Sequence, residues 1–384
     1  MIRKNIRFLG VVALFWFAQY VFFPFFLPYL DMFSISTSIA GLITGVYGFS
    51  QLLLRIPLGI FADRLRNHKV FMFFGMCCLA AAGLLLFSAS NPVMFLLARF
   101  LAGVAASTWV SFTVYFTSRF SNADTGRAAG TVLMANTLGI FLSYVSGTLI
   151  YEQAGIRTLF LISTGAALLG AVLIFTMRDD HKPEQTGISI SDVISVVKDR
   201  NLLLHSMLAT LTQVITFTTS MNFVSKYAEK IGASGRQIGI ISIIFNGIGV
   251  LASLWIGTTA SQKFTNRFKI ILAFAFLGIS CLIVPFSTDV TGIYISQIFG
   301  GIGRAFLLAL TMGLALRDIS PRLKSTAMGT YQSLYSIGMT LGPILMGIGL
   351  DSTGGNYQLL YYLAAFLCLL GLVWSAVTVD RTTL

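Results

Sequence analysis

The sequence predicts an all-α membrane protein of twelve transmembrane helices, arranged as two six-helix bundles related by a parallel pseudo-repeat. Three observations carry that expectation. The 384 residues are 56% hydrophobic and only 10% charged, against about 25% charged in a soluble globular chain. The apolar residues fall in runs long enough to cross a bilayer, which takes about 20 residues per helix. Glycines of the first half also return in the second at a nearly constant offset, as with Gly41 and Gly239. A soluble core could not hide so many apolar helices, whereas lipid solvates apolar side chains and leaves only the backbone to be satisfied internally.

The runs lie near residues 8–30, 39–62, 70–89, 93–116, 128–150, 158–177, 202–224, 237–259, 269–287, 291–316, 325–349 and 357–379. The first follows a basic start, as in a signal peptide. It is longer than a typical signal core and no small-residue cleavage site follows it, so it reads as a span. Twelve spans put both termini on one side of the membrane. Of the 26 Lys and Arg residues, 19 fall on that side, including Arg3, Lys4, Arg7, Arg64, Arg66, Lys69, Arg119 and Arg127. The opposite loops hold only Arg157, Lys226, Lys230 and Arg236. Positive charge accumulates on the cytoplasmic side of membrane proteins, so both termini are expected in the cytoplasm. The net charge of +12 is then topological and does not indicate a nucleic-acid partner.

The longest polar stretch follows the sixth span. Within it Ile190, Val193, Ile194 and Val197 recur at helical spacing, which predicts a short amphipathic helix on the cytoplasmic membrane surface. The chain therefore divides into an N-terminal bundle (1–177), a cytoplasmic linker (178–201) and a C-terminal bundle (202–384). Sliding the halves by 198 residues sets Gly41 on Gly239, Tyr47 on Phe245 and Gly59 on Gly257. One residue further, Gly130 and Gly139 meet Gly329 and Gly338. A parallel repeat of this kind places a substrate path between the halves, near the midplane. Cys77, Cys78, Cys281 and Cys368 all sit in apolar runs and read as small hydrophobes rather than disulfide or metal partners.

After the second span stands Gly59-Ile60-Phe61-Ala62-Asp63-Arg64-Leu65-Arg66-Asn67-His68-Lys69. This resembles the signature loop of the major facilitator superfamily, and the resemblance extends over the whole chain through its twelve spans, two halves and central loop. It implies that Gly59, Asp63 and Arg64 form a cytoplasmic latch, with Asp124 and Arg127 as partners from the next cytoplasmic loop. A plainer reading is that these charges anchor a short loop. The family continues with Gly-Arg-Lys/Arg where this chain has Arg66-Asn67-His68-Lys69, and the C-half counterpart at Gly257 lacks the Asp-Arg pair. Arg99 to Gly103 is similar to an Arg-x-x-x-Gly element of the family. Gly130, Gly139 and Gly147 resemble the antiporter motif, although Ser143-Tyr144 replaces its Gly-Pro; the eleventh span has Gly338 and Gly342-Pro343. These glycines serve packing, bending or both. Pro24 and Pro28 predict a kinked outer half of the first span, a feature also found in drug exporters of the family.

None of the 14 acidic residues falls well inside a span, but Arg55, Arg99 and Arg304 do. An intramembrane charge costs at least about 2.5–3.5 kcal/mol on insertion scales, so each needs a partner, water or a function. Arg55 is one turn before Gly59 and can snorkel to the interface. Arg99 lies within reach of Asp31 at the outer end of the first span, as a structural pair or a gate. Arg304 lies near the midplane and is expected to face the central cavity. Gln19, Asn136, Gln213, Asn222, Asn246, Gln297 and Tyr331 are uncharged polar groups at mid-span that either line a pocket or bond helix to helix.

The resemblance thus implies a secondary active transporter, acting by alternating access as a monomer in the cytoplasmic membrane on a small-molecule substrate. An efflux carrier of the drug/proton antiporter type, with a proton as coupling ion, is the first reading. A carrier of an anionic metabolite bound by Arg304, with or without Arg99, is the alternative. No phosphate-binding Gly-Lys-Ser/Thr loop, enzymatic nucleophile or metal cluster is evident, so neither ATP hydrolysis, nor an enzyme activity, nor a cofactor or metal is expected.

Overall fold

Where each helix starts and stops follows from local chemistry. In the computed structural model, which describes residues 2–65, 67–117, 119–120, 125–177, 190–256, 258, 263–320 and 323–379, the helices are joined by short turns. The first span is α1 (Ile2–Tyr20) and α2 (Phe23–Asp31), and the second is α3 (Thr37–Leu65). Then come α4 (His68–Ser88), α5 (Pro92–Ser107) with α6 (Trp109–Thr117), and α7 (Thr125–Thr176). Beyond the linker helix α8 (Ile190–Val197) lie α9 (Arg200–Thr218) and α10 (Val224–Lys230), which form one span, and α11 (Gly235–Ile256). The last four are α12 (Asn266–Phe286), α13 (Val290–Leu316), α14 (Lys324–Ser352) and α15 (Tyr357–Thr378). Side chains of Asn67, Asn91, Asp199, Thr265, Asp289 and Asn356 each accept a hydrogen bond from a first-turn amide. Each such cap satisfies an otherwise orphaned donor. Asp289, at the start of the tenth span, is one of these caps.

Eleven helical segments are long and apolar enough to cross a membrane. One of them, Ala128–Thr176, has 49 residues, about 73 Å at 1.5 Å per residue and more than twice the ~30 Å of a hydrocarbon core. Gly155 breaks it with φ 70°, a left-handed backbone that glycine adopts without steric cost. It is therefore two spans, and the crossings among the described residues number twelve. The chain returns to the face on which it began, here the terminal face; the opposite one is the far face. Large apolar side chains such as Leu138, Leu142, Leu168, Phe175, Leu254, Phe366 and Val377 remain exposed on the outside of the bundle, as a lipid-facing surface requires.

The repeat has a geometric counterpart. A Cβ added to Gly103 would run into the carbonyl of Tyr47, and one added to Gly301 into the carbonyl of Phe245. Both glycines and both aromatic residues are 198 positions apart. Likewise Gly139 touches the Ala13 carbonyl and Gly338 that of Thr210, so α7 docks on α1 as α14 docks on α9. Breaks also correspond. The kink of the first span falls at Val21–Phe22, just before Pro24, which lacks an amide hydrogen and opens α2. The seventh span has a π-helical turn, Thr219–Phe223, at the equivalent place, where Asn222 Nδ2 donates to the Phe217 carbonyl at 2.6 Å. Sequence periodicity carries no signal for that turn.

The two bundles meet tightly at the far face. Asp31 at the end of α2 pairs with Lys226 of α10 at 2.6 Å. Asp351 accepts from the amides of Thr37 and Ser38 at 3.2 and 2.7 Å, capping α3 from the end of α14. Glu152 of α7 accepts from the Arg236 amide of α11 at 3.1 Å. These are one arrangement used twice: Glu152 and Asp351 are 199 residues apart, as are Thr37 and Arg236. Beneath the caps, Gly41 abuts the Pro343 carbonyl, Gly347 that of Thr37 and Gly239 the side chain of Thr148. No Cβ fits at Gly41 while the face is closed.

The linker helix α8 is not simply laid on the membrane. Val196 is buried, in a cluster with Leu202, Ala327 and Tyr331, while Ile194 and Val197 are exposed. Residues 178–189 lie outside the described residues.

Two variants test the far-face closure. Gly41→Val puts side-chain atoms where the Pro343 carbonyl lies and should hold α3 off α14. Spin labels at Met32 and Thr353 should then show a longer, broader distance distribution than in the wild type. Glu152→Gln with Asp351→Asn keeps the shapes and removes the charges. A hydrogen bond to a charged group contributes about 1.5–3 kcal/mol, so amide exchange at Thr37, Ser38 and Arg236 should accelerate about tenfold or more.

Candidate functional site

Groups from both bundles converge at mid-membrane. From the first, α1 brings Tyr20, α3 brings Tyr47 and Arg55, α5 brings Arg99 and α7 brings Tyr144. From the second, α11 brings Phe245 and Asn246, α13 brings Arg304 and α14 brings Tyr335. Tyr20 and Tyr47 face each other, hydroxyl toward hydroxyl, and Tyr20 lies within electrostatic reach of Arg99 and Arg304. The Tyr144 hydroxyl meets the Asn246 side chain across the two bundles, again within reach of Arg304.

The three arginines are held in three different ways. Arg55 is 2% exposed. It donates to Gln51 Oε1 at 2.7 Å, and more weakly to the Gln332 carbonyl at 3.4 Å and to Tyr335 Oη and the Ala106 carbonyl at 3.5 Å. It does not snorkel, because the Gln332 and Tyr335 contacts of α14 receive it inside the protein. Arg99, also 2% exposed, sits over the rings of Tyr47, Phe26 and Phe23 at 4.6, 5.5 and 5.6 Å. Each such contact contributes about 0.5–2 kcal/mol, so three together match the insertion cost of the charge. The expected partner Asp31 is engaged by Lys226 instead, at the membrane surface where both charges keep some water. Arg304 is half-buried. It lies over one ring, Phe245, at 5.8 Å, and its buried Nε has no hydrogen-bond partner.

The remaining polar residues separate into those at the cluster and those that bond locally. Asn246 is at the cluster, although its Nδ2 also donates to the Ser242 carbonyl at 3.0 Å. Gln19 Nε2 donates to the Ala102 carbonyl at 2.8 Å and ties α1 to α5. Gln213 accepts from Thr216 at 3.3 Å, Gln297 donates to Ser296 at 3.1 Å, and Tyr331 bonds Thr311 at 2.9 Å. These three interactions, with that of Asn222, stay within the second bundle. Asn136 is half-buried on α7. Gly130 has no atom within 4 Å of a Cβ position, so close packing does not require glycine there. Gly342 abuts the Val214 carbonyl, and Pro343 meets Gly41. Pro28 lies inside α2. Of the expected latch, Asp124 lies outside the described residues. Gly59, Asp63 and Arg64 are described only as backbone of α3, and Arg127 only as backbone of α7.

Sequence reasoning missed Tyr20, Tyr47 and Tyr144. A signal existed for the last. Tyr144 stands 199 residues before Pro343, at the position where the motif has proline. At that point α14 presents a carbonyl to Gly41 of α3, while α7 presents a phenol to Asn246 of α11.

A helical membrane protein of two repeated bundles, with charged and aromatic groups converging between them, is built as a transporter. The family profile of the Major Facilitator Superfamily matches residues 8–227 and 206–383. The chain belongs to that superfamily, whose members are membrane transporters rather than enzymes. It is 23% identical over 362 residues to the multi-drug resistance efflux pump PmrA of Streptococcus pneumoniae, covering 92% of this chain and 90% of that one. It is 20% identical over 382 residues to the proton-coupled antiporter flippase LtaA of Staphylococcus haemolyticus, covering 97% and 94%. Among solved structures, the nucleoside transporter NupG superposes with a TM-score of 0.79 at 15% identity, covering 97% and 99%. At that identity the likeness is one of fold.

The different holds on the arginines predict different responses. Arg55→Met leaves buried Gln51 Oε1 without its donor, at about 1–3 kcal/mol, and loosens α3 from α14. Arg99→Met leaves an apolar chain among three rings, a replacement that is often neutral or stabilising. In detergent, Arg55→Met should lower the unfolding temperature, whereas Arg99→Met should match or exceed the wild type.

Proposed function

We propose that this chain is an efflux-type secondary transporter of the drug/proton antiporter kind, moving a small amphipathic molecule across the cell membrane by alternating access. The observation that carries the reading is the cluster of Tyr20, Tyr47, Tyr144, Asn246 and Arg304. It is completed only where the bundles meet, and the contacts above it seal the far face. Rocking the bundles apart breaks the caps at Thr37 and Arg236 and exposes the same cluster to the other side. Export is supported by the relatives, one an efflux pump and another a proton-coupled antiporter.

The terminal face is cytoplasmic in this reading, since 19 of the 26 basic residues lie on it. The units are the bundles 1–177 and 202–384, joined by the linker 178–201. One chain supplies both sides of the cluster and works as a monomer. Proton coupling falls to the far-face carboxylates Asp31 and Glu229, which share the field of Lys226. Loss of the Asp31–Lys226 ion pair releases α2 from α10 and favours opening. The alternative cargo, an anionic metabolite held by intramembrane arginine, is compatible with export and favoured by Arg304.

The test is flux of a panel of amphipathic dyes from proteoliposomes under a pH gradient of either sign. Flux should follow one sign of the gradient, and Asp31→Asn should remove that dependence while dye exchange persists. Flux of every dye indifferent to the gradient would end the antiport reading.

A further inference from the structure

Of the three intramembrane guanidinium groups, Arg304 is the least enclosed by the protein. Arg55 is bonded to Gln51 and α14, and Arg99 is enclosed by three rings. Each of the three keeps a buried Nε without a hydrogen-bond partner, but Arg304 has a single ring against it and an open side. Two phenol hydroxyls, Tyr20 and Tyr144, lie within its electrostatic reach and are themselves uncharged donors. No acidic residue lies well inside a span, and both Arg304 and Arg99 act on Tyr20, so the field at this point is positive. Such a field attracts a negative charge and repels an ammonium. The planar guanidinium fork matches the two oxygens of a carboxylate, or those of a phosphate. Around it the walls are aromatic: Phe245 lies beneath Arg304, and Trp16 stacks on Tyr20 with ring centres 6.0 Å apart.

We propose that Arg304, assisted by the hydroxyls of Tyr20 and Tyr144, binds the oxyanion head of the transported molecule, whose aromatic or apolar body lies along Phe245 and the Tyr20 ring. The substrate class is an amphipathic organic oxyanion, a carboxylate or a phosphate, in free form or as a lipid headgroup. This rests on the transporter reading above and deepens it. Binding also has a structural consequence. An oxyanion on Arg304 competes with Asn246 for the Tyr144 hydroxyl, and so weakens a contact that joins α7 to α11.

The experiment is calorimetric titration of the full chain in phosphatidylcholine nanodiscs with three probes of one shape: naphthoate, naphthylmethylammonium and naphthalenemethanol. Naphthoate should bind at least about tenfold more tightly than the other two. Arg304→Gln should erase that preference, Arg304→Lys should keep part of it, and Tyr144→Phe should weaken naphthoate several-fold while leaving the alcohol unchanged. Replacing part of the lipid with phosphatidylglycerol separates the sources. Competition against naphthoate that vanishes in Arg304→Gln identifies a lipid headgroup, and its absence identifies a free anion. Equal binding of naphthoate to wild type and Arg304→Gln, or tighter binding of the ammonium, would overturn the proposal. Unfolding temperatures of the variants distinguish lost binding from lost fold, and Tyr144→Phe, which keeps the ring, stands in should Arg304→Gln fail to fold. The assay needs no gradient, so its failure with dye flux intact rejects the anion alone. Binding without any flux rejects transport instead.

Discussion

Three guanidinium groups lie inside an apolar slab that contains no carboxylate to meet them, and much of the centre of this protein is arranged around that fact. A charge in this setting must be satisfied by dipoles, by aromatic faces or by water. Arg55 takes the first solution, Arg99 the second, and Arg304 is left with an incomplete version of both. The consequences reach beyond the residues themselves. Because Arg55 draws on Gln332 and Tyr335, it ties α3 to α14. Because Arg99 draws on Phe23, Phe26 and Tyr47, it fixes the far-face half of the first span against the second.

Closure of the far face is a separate constraint with its own chemistry. Helix backbones approach so closely at Gly41 and Gly347 that no β-carbon fits, Gly239 packs on the Thr148 side chain, and a carboxylate from each bundle caps a helix of the other. The duplication of this arrangement across 199 residues makes it a property of the repeat rather than of one contact. The centre, by contrast, departs from the repeat. Position 343 is a proline packed on a glycine, while position 144 is a tyrosine turned to the opposite bundle. Positions 99 and 304 have no arginine counterparts at the matching places, which hold Gln297 and Ala106. Symmetric ends can open and close alike; an asymmetric centre can hold one cargo in one orientation.

Much of the fold was legible in the sequence, because burial in lipid leaves long apolar runs and close helix approach leaves glycines at a constant offset. Gly41, Gly139 and Gly338 were readable for that reason, and each proves to abut a backbone. The break between the fifth and sixth spans was legible too, since Glu152, Gln153 and Arg157 interrupt the apolar run around Gly155. Charges were legible in position but not in partnership. Arg304 was expected at the cavity by its depth alone. Arg55 and Asp31 were expected to meet the interface and Arg99, yet their partners Tyr335 and Lys226 are about 280 and 195 residues away, beyond any local spacing argument. The tyrosines were hidden by their number. Thirteen are present, and only the fold says which of them turn inward.

The central claim is that a positively charged cluster lies between the bundles and is shut from the far face. Its most direct test is the reactivity of a cysteine at Asn246, in a chain whose four native cysteines are replaced by serine or alanine, toward membrane-impermeant methanethiosulfonates of either charge. The account predicts reaction from the terminal face and little from the far face, with the anionic reagent faster than the cationic one by about tenfold. Faster reaction with the cationic reagent, or reaction only from the far face, would contradict it.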